Sequence, residues 1–265
     1  MFYMKTDHDE IDRIIFIWYR MGKMKLLDIR NINKTYKKVK AIDDLSFSVD
    51  ECEMVGLLGL NGAGKSTTIE MVATLLKPDS GSIFYKGSDV FKKPEVIRRE
   101  MGYVPQNIML FEELSGLKNL EFWGKAYGLK GAMLKEAIER TITICDLKDK
   151  INLPVKSYSG GMQRRLNIGV AVLHMPRLLI LDEATVGVDI VSAHKILRLI
   201  QELNRYFGTA VIFTSHNMQE AEFLCQRFLI LKQGRLIEDI SKTEILNHHS
   251  NLQEYFWRKV STQEI

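Results

Sequence analysis

No stretch of the 265-residue sequence approaches the roughly 20 consecutive apolar residues that a membrane-spanning helix needs. The best candidate, Ile14-Ile15-Phe16-Ile17-Trp18-Tyr19, is short and follows Asp7, Asp9, Glu10 and Asp12. A secretory signal carries positive charge at that place, so neither an exported nor a membrane-integral protein is expected. Cysteine is scarce. Cys52, Cys145 and Cys225 are far apart, odd in number and match no metal-ligand spacing. They fit a reducing compartment and are expected to be buried small hydrophobes. A concentrated basic stripe is missing too. Net charge is +4, and the denser spots are Lys34, Lys37, Lys38, Lys40 and the pair Arg98-Arg99. These read as a solvated face, with phosphate attraction the lesser alternative, and no nucleic-acid partner is expected. Internal repeats and low-complexity segments are absent.

What is present suits one large or two small globular domains, with 46% hydrophobic and 26% charged residues. Residues 1–23 look like an addition. Ile11, Ile14, Ile15 and Trp18 have helical spacing, and Met21 or Met24 could be the natural start. A dispensable leader is favoured over a membrane-surface anchor. From Lys25, strands and helices alternate. Strands are expected at Leu26–Arg30, Leu45–Val49, Met54–Leu58, Ser82–Tyr85, Leu178–Leu181 and Ala210–Thr214. Helices are expected at Lys65–Leu76 and around Val191–Tyr206. A mainly helical stretch runs from about Glu95 to Leu173, with helices at Leu117–Tyr127, Ala132–Ile144 and one opening at Gly160. A hairpin, Phe228–Leu231 with Arg235–Ile240, turns on Gln233-Gly234, and the tail from Thr243 is helical. Fully apolar strands between helices predict a parallel sheet covered on both faces, in an α/β fold with a helical second subdomain.

Gly59-Leu60-Asn61-Gly62-Ala63-Gly64-Lys65-Ser66 matches the phosphate-binding pattern G-x-x-x-x-G-K-[ST]. An apolar strand precedes it and a helix follows. Backbone N–H groups must converge on phosphate oxygens, so side chains must be absent at the glycines. The helix dipole adds positive potential, Lys65 a mobile point charge and Ser66 a hydroxyl for Mg²⁺. Thr67 is counted with this cradle. A P-loop also needs a carboxylate. Leu178–Leu181 runs into Asp182, which can hold Mg²⁺ or its water. Glu183, one residue on, is the candidate general base or water-orienting group. Taken alone, such a strand end is more often a solvated acid. His216 follows another apolar strand and could donate to a terminal phosphate, although a lone His there is usually structural. Ser159-Gly160-Gly161 before a helix makes a second anion site, or simply an N-cap.

Ser157-Tyr158-Ser159-Gly160-Gly161-Met162-Gln163-Arg164-Arg165 resembles the signature motif of the ATP-binding cassette (ABC) ATPases, usually Leu-Ser-Gly-Gly-Gln followed by basic residues. Tyr158 and Met162 depart from that form. Other elements of the family follow in order. Tyr36 stands where an aromatic stacks on adenine. Gln106, in Gly102-Tyr103-Val104-Pro105-Gln106, resembles the Q-loop glutamine that touches Mg²⁺ or water and senses the membrane partner. Gly187-Val188-Asp189 looks like the D-loop and Ser215-His216 like the H-loop. Ala184 replaces the usual Pro. The resemblance runs from about Met24 to Ile240.

It implies a P-loop NTPase of the ABC type: a RecA-like α/β core with an antiparallel β subdomain and an inserted α-helical subdomain at about 107–173. Residues 24–240 would be the ATPase domain and 241–265 a helical tail. It further implies an ATPase using ATP and Mg²⁺. Glu183, His216 and Gln106 would be catalytic, and Ser66, Gln106 and Asp182 would lie around the metal. The P-loop, Tyr36, Ser159, Gly160, Gly161 and Asp189 would contact nucleotide. Two copies would pair head to tail, each ATP lying between one P-loop and the other copy's signature. Separate membrane permease subunits would dock near Gln106–Leu114, with Phe111 and Leu114 as apolar contacts or as core residues. The subunit would sit on the cytoplasmic face of the membrane. The motif forms are similar to the daunorubicin-resistance-type drug and polysaccharide export branch. Lys148–Lys156 lacks the acidic Gly-Glu motif of fused multidrug exporters, and the long C-terminal extension of many daunorubicin-type ATPases is missing. An importer ATPase or a non-transport ABC ATPase remain the alternatives.

Overall fold

The computed structural model describes residues 25–261. The expectations for residues 1–23 concern positions outside them. In chain order the elements are β1 (Lys25–Tyr36), β2 (Val39–Asp50), β3 (Met54–Gly59), α1 (Lys65–Val72), β4 (Ser80–Tyr85), β5 (Ser88–Asp89) and α2 (Pro94–Glu100). There follow β6 (Met101–Val104), α3 (Gly116–Ala126), α4 (Gly131–Ile144), a 3₁₀ turn at Val155–Ser157 and α5 (Gly160–Val172). The last third holds β7 (Leu178–Asp182), α6 (Ile190–Phe207), β8 (Ala210–Thr214), α7 (Met218–Leu224), β9 (Arg227–Lys232), β10 (Arg235–Ser241), α8 (Lys242–His248) and α9 (Leu252–Ser261).

The strands form two sheets. One is antiparallel, in the order β2-β1-β4-β5. The other runs β10-β9-β3-β8-β7-β6 and is parallel except for the β9–β10 hairpin. Successive side chains of a strand point to opposite faces, and the parallel strands use both. Leu179, Leu181, Val211, Phe213, Phe228 and Ile230 join an apolar cluster with α5 and α6 residues such as Leu166, Ile168, Ile196 and Ile200. Leu178, Ile180, Ala210, Ile212, Leu229 and Leu231 join a second cluster with the antiparallel sheet and with Ile69 and Val72 of α1. The parallel sheet is thus covered on both faces as its apolar strands predict, with a second sheet contributing much of one cover.

Local signals explain the boundaries. Along α6, Ala193, Ile196, Leu197, Ile200 and Leu203 are buried, the i, i+3, i+4, i+7 stripe of an amphipathic helix. Asp189 caps its start by accepting from Ser192 N, and Gly208 ends it in the left-handed conformation. The Gln233-Gly234 turn has positive φ at both residues, 48° and 79°, as a two-residue hairpin loop requires.

Three expectations need correction. Met101–Val104 is not part of a helical stretch; it is the edge strand β6, paired in parallel with Leu178–Leu181. Helix α1 stops at Val72 and not Leu76, because Thr74 takes a positive φ of 59°. Cys52 is exposed, unlike Cys145 and Cys225, because it sits at φ 60° in the turn joining the two sheets.

Helix α5 lies so close on β6 that a side chain at Gly102 would run into the Ala171 carbonyl oxygen. Backbone cannot retreat as a flexible side chain can. Gly102→Ala is therefore expected to lose about 1–3 kcal/mol of stability, read as a lower denaturation midpoint in urea.

Candidate functional site

The P-loop leaves the carboxyl end of β3, whose six residues are all buried. Its path depends on Gly64, at φ 103°, where a Cβ would stand 2.6 Å from Ile42 Cδ1 and 2.8 Å from the Ala41 carbonyl oxygen. The loop is held from both sheets: Gly234 N donates to the Ala63 carbonyl (3.0 Å), and Asp43 N donates to the Gly234 carbonyl (2.9 Å). Lys65 is buried, and its ammonium donates to the carbonyls of Gly59 (2.8 Å) and Leu60 (3.2 Å). Burial pushes the ammonium below its ordinary pKa, while the Glu183 and Asp182 carboxylates pull it back. Asn61, Gly62 and Ser66 are exposed, Thr67 is half-buried and Ala63 is buried.

Strand β7 ends beside β3's other neighbour, β8, and brings Asp182 and Glu183 to the same edge. Thr214, at the end of β8, ties the two acids together. Its hydroxyl donates to Asp182 Oδ1 (2.7 Å) and accepts from Glu183 N (3.0 Å). Glu183 adopts a left-handed backbone, φ 51°, uncommon for a non-glycine residue and found disproportionately at functional sites. Two other expected site residues meet its carboxylate. Gln106 Nε2 donates to Oε2 (3.0 Å), and His216 Nε2 lies 2.5 Å from Oε1. Glu183 is buried, whereas the His216 side chain is 45% exposed, so the group opens to solvent on the His216 side.

The remaining expected residues lie elsewhere. Tyr36 is exposed at the end of β1, with the Lys34 ammonium 5.9 Å from its ring centroid. Ser159 is the exposed N-cap of α5, accepting from Met162 N (3.3 Å). A side chain at Gly160 or Gly161 would meet Gly187, Val188 and Ser192 rather than any P-loop atom. The signature thus packs on the Gly187–Asp189 loop. The Asp189 carboxyl is held below its usual pKa by the backbone N–H of Ser192.

The motifs count Arg164 only as a basic residue after the signature and give Asn119 and Thr214 no role. Arg164, 4% exposed, donates to the carbonyls of Pro105 (3.1 Å) and Gln106 (2.8 Å), joining the signature helix to the Q-loop. Asn119 Oδ1 accepts from Phe111 N, and its amide donates to the Phe111 carbonyl, fixing the chain after Gln106. Thr214 carries no motif letter of its own. Phe111 is exposed and packs edge-on to Phe122, with ring centroids 4.8 Å apart, while Leu114 is half-buried.

Comparison with known proteins places these features in a family. A family model described as ABC transporter matches residues 42–186. The linearmycin resistance ATP-binding protein LnrL of Bacillus subtilis is 43% identical over 83% of this chain and 70% of its own length. The Nod factor export ATP-binding protein I of Sinorhizobium fredii is 38% identical, over 80% of this chain and 61% of its own. Among solved structures, a dimeric post-hydrolysis ATP-binding cassette bound to ADP and Pi superposes with a TM-score of 0.74. It is 26% identical and covers 82% of this chain and 98% of that one.

Replacing Thr214 by the isosteric Val removes a donor from Asp182 and an acceptor from Glu183 N in a fully buried setting. We expect Thr214→Val to cost about 1–3 kcal/mol in chemical denaturation and to lower turnover at saturating nucleotide.

Proposed function

This chain belongs to the ABC transporter ATP-binding family and is an ATPase subunit of that kind; from that premise we propose that it drives export through membrane subunits encoded as separate chains. The reading of direction is supported by the likeness to a resistance protein and to a protein named for Nod factor export. No helix among the described residues is long and apolar enough to cross a membrane, which is consistent with a permease supplied by other polypeptides. The subunit would sit peripherally on the cytoplasmic face. Its partners would dock around Gln106–Leu114, where Phe111 and Phe122 present exposed rings.

The observation that carries the hydrolytic reading is the convergence of Gln106 and His216 on the Glu183 carboxylate, at the strand edge that also carries the P-loop. Glu183 takes the proton of the attacking water as its oxygen bonds to the γ-phosphorus and the bond to ADP breaks. Gln106 and His216 fix the direction of that carboxylate, and His216 can turn a donor toward the terminal phosphate. Lys65 and the P-loop N–H groups offset the charge on the phosphates, and Tyr36 stacks on the base. Ser66, Asp182 and Gln106 offer hard oxygen donors in small number, which suits an ion that keeps most of its waters and takes the rest from phosphates. Mg²⁺ bound there would supply charge neutralisation at the β- and γ-oxygens.

The signature supplies the second half of each pocket from another copy. Ser159 and Gly160 are exposed, and a helix N-terminus with a Ser hydroxyl is an anion site needing a phosphate from outside the chain. Asp189 lies beside it at the same face. We assign residues 24–240 to the ATPase domain, about 107–173 to its helical subdomain and 241–265 to a tail.

Glu183→Gln is expected to bind ATP yet stall hydrolysis, so that size-exclusion chromatography with ATP shows a dimer. A monomer at saturating ATP would sink the sandwich. Affinity-tagged chain drawn from native membranes should bring down a polytopic partner; co-purification with ribosomes or DNA instead would favour the non-transport alternative.

A further inference from the structure

The approach of His216 to Glu183 is made by two irregular loops, one leaving β7 and the other leaving β8. Main-chain bonds within the first loop run from Val186 N to the Glu183 carbonyl and from Val188 N to the Thr185 carbonyl, both 3.2 Å. Its start is tied to β8, where Glu183 N reaches the Thr214 hydroxyl at 3.0 Å and lies 3.2 Å from its carbonyl. Further along, a side chain from α7 touches both loops. Glu220 Oε2 accepts from the Thr185 hydroxyl (2.5 Å) and from the Ser215 hydroxyl (3.1 Å). Thr185 and Ser215 are 6% and 3% exposed, so neither hydroxyl can easily exchange this partner for water.

Thr185 lies two residues after Glu183, and Ser215 immediately precedes His216. Glu220 therefore closes a ring that runs from Glu183 through Thr185, the Glu220 carboxylate and Ser215 to His216, and back to Glu183. The carboxylate is itself well anchored. Asn217 caps α7 by accepting from Gln219 N and Glu220 N, and Asn217 N donates to the Ser215 hydroxyl (3.0 Å).

We propose that Glu220 is a positioning residue for ATP hydrolysis, a clamp that sets the spacing between the loop carrying Glu183 and the loop carrying His216. The proposal rests on the roles given above to those two residues. Hydroxyl bonds to an ionised carboxylate are roughly twice as strong as neutral ones. A clamp of this strength matters because a misplacement of about 1 Å at a reacting group can cost on the order of a hundredfold in rate. Glu220 itself does not contact the nucleotide; its effect passes through the geometry of the other two.

The test is steady-state ATP hydrolysis by the purified full chain, with ATP affinity and thermal denaturation measured on the same samples. Glu220→Ala should lower kcat about tenfold or more and leave the Kd for ATP within about twofold. Glu220→Gln keeps an acceptor oxygen in place and should return kcat to within about threefold of the parent. The decisive comparison places Glu220→Ala in a His216→Ala background. A clamp acting through His216 has little left to position there, so the further loss should be under about twofold. A further tenfold loss, or a parental kcat in Glu220→Ala, overturns the clamp. If Glu220→Ala does not fold, Thr185→Val serves, since it removes one donor at constant shape. It should slow turnover several-fold at unchanged ATP affinity, and a parental rate overturns the clamp. A parental rate in His216→Ala alone would instead overturn the site reading beneath it, whatever Glu220 does.

Discussion

Parallel pairing of β3, β8, β7 and β6 fixes where chemistry can occur in this molecule, because it delivers their carboxyl ends to one edge. Every group that meets there comes from the end of one of those strands or from the few residues beyond it. Lys65 follows β3, Gln106 follows β6, Glu183 follows β7 and His216 follows β8. Open α/β sheets bind ligands at that edge as a rule. Strands β3, β7 and β8 are buried along their whole length, so their register is held by burial on both faces and by main-chain bonds. A shift of one residue in β7 would turn Asp182 and Glu183 to the wrong sides of the sheet. Thr214 guards against this locally, bonding both acids from the neighbouring strand.

The site's motifs are legible in sequence because each demands fixed residue types at fixed spacing. The P-loop needs glycines where backbone must face phosphate. The acids need an apolar strand that stops. The hairpin needs residues that accept positive φ. What stays hidden is whatever acquires meaning only through pairing. Four residues, Met101–Val104, show no usable period, and their identity as a strand comes from β7 alongside. Arg164 grips a carbonyl 58 residues away, and Glu220 a hydroxyl 35 residues away. In the sequence they look like ordinary charged residues on helices. Cys52 misleads for a related reason. Its hydrophobic character is real, but the turn conformation decides which way it points.

The departures from the family's usual motif have physical explanations. Tyr158, in place of Leu, is buried, and its hydroxyl donates to the Lys150 carbonyl (2.7 Å), so a polar atom is placed in the core without being left unpaired. Met162, in place of Gln, packs against the helical core and offers only its main-chain N–H to Ser159. Ala184, in place of Pro, is fully buried in the turn that follows β7.

Helix α5 carries Ser159 at one end and rests on Gly102 near the other, with no side chain between helix and strand. At about 1.5 Å of rise per residue, Ser159 stands about 18 Å from the Ala171 contact. Rocking by about ten degrees would swing the far tip through about 3 Å, the span of one hydrogen bond. Were the helix to turn on that contact, a rotation too small to disturb the core would be large enough to make or break a grip at the tip.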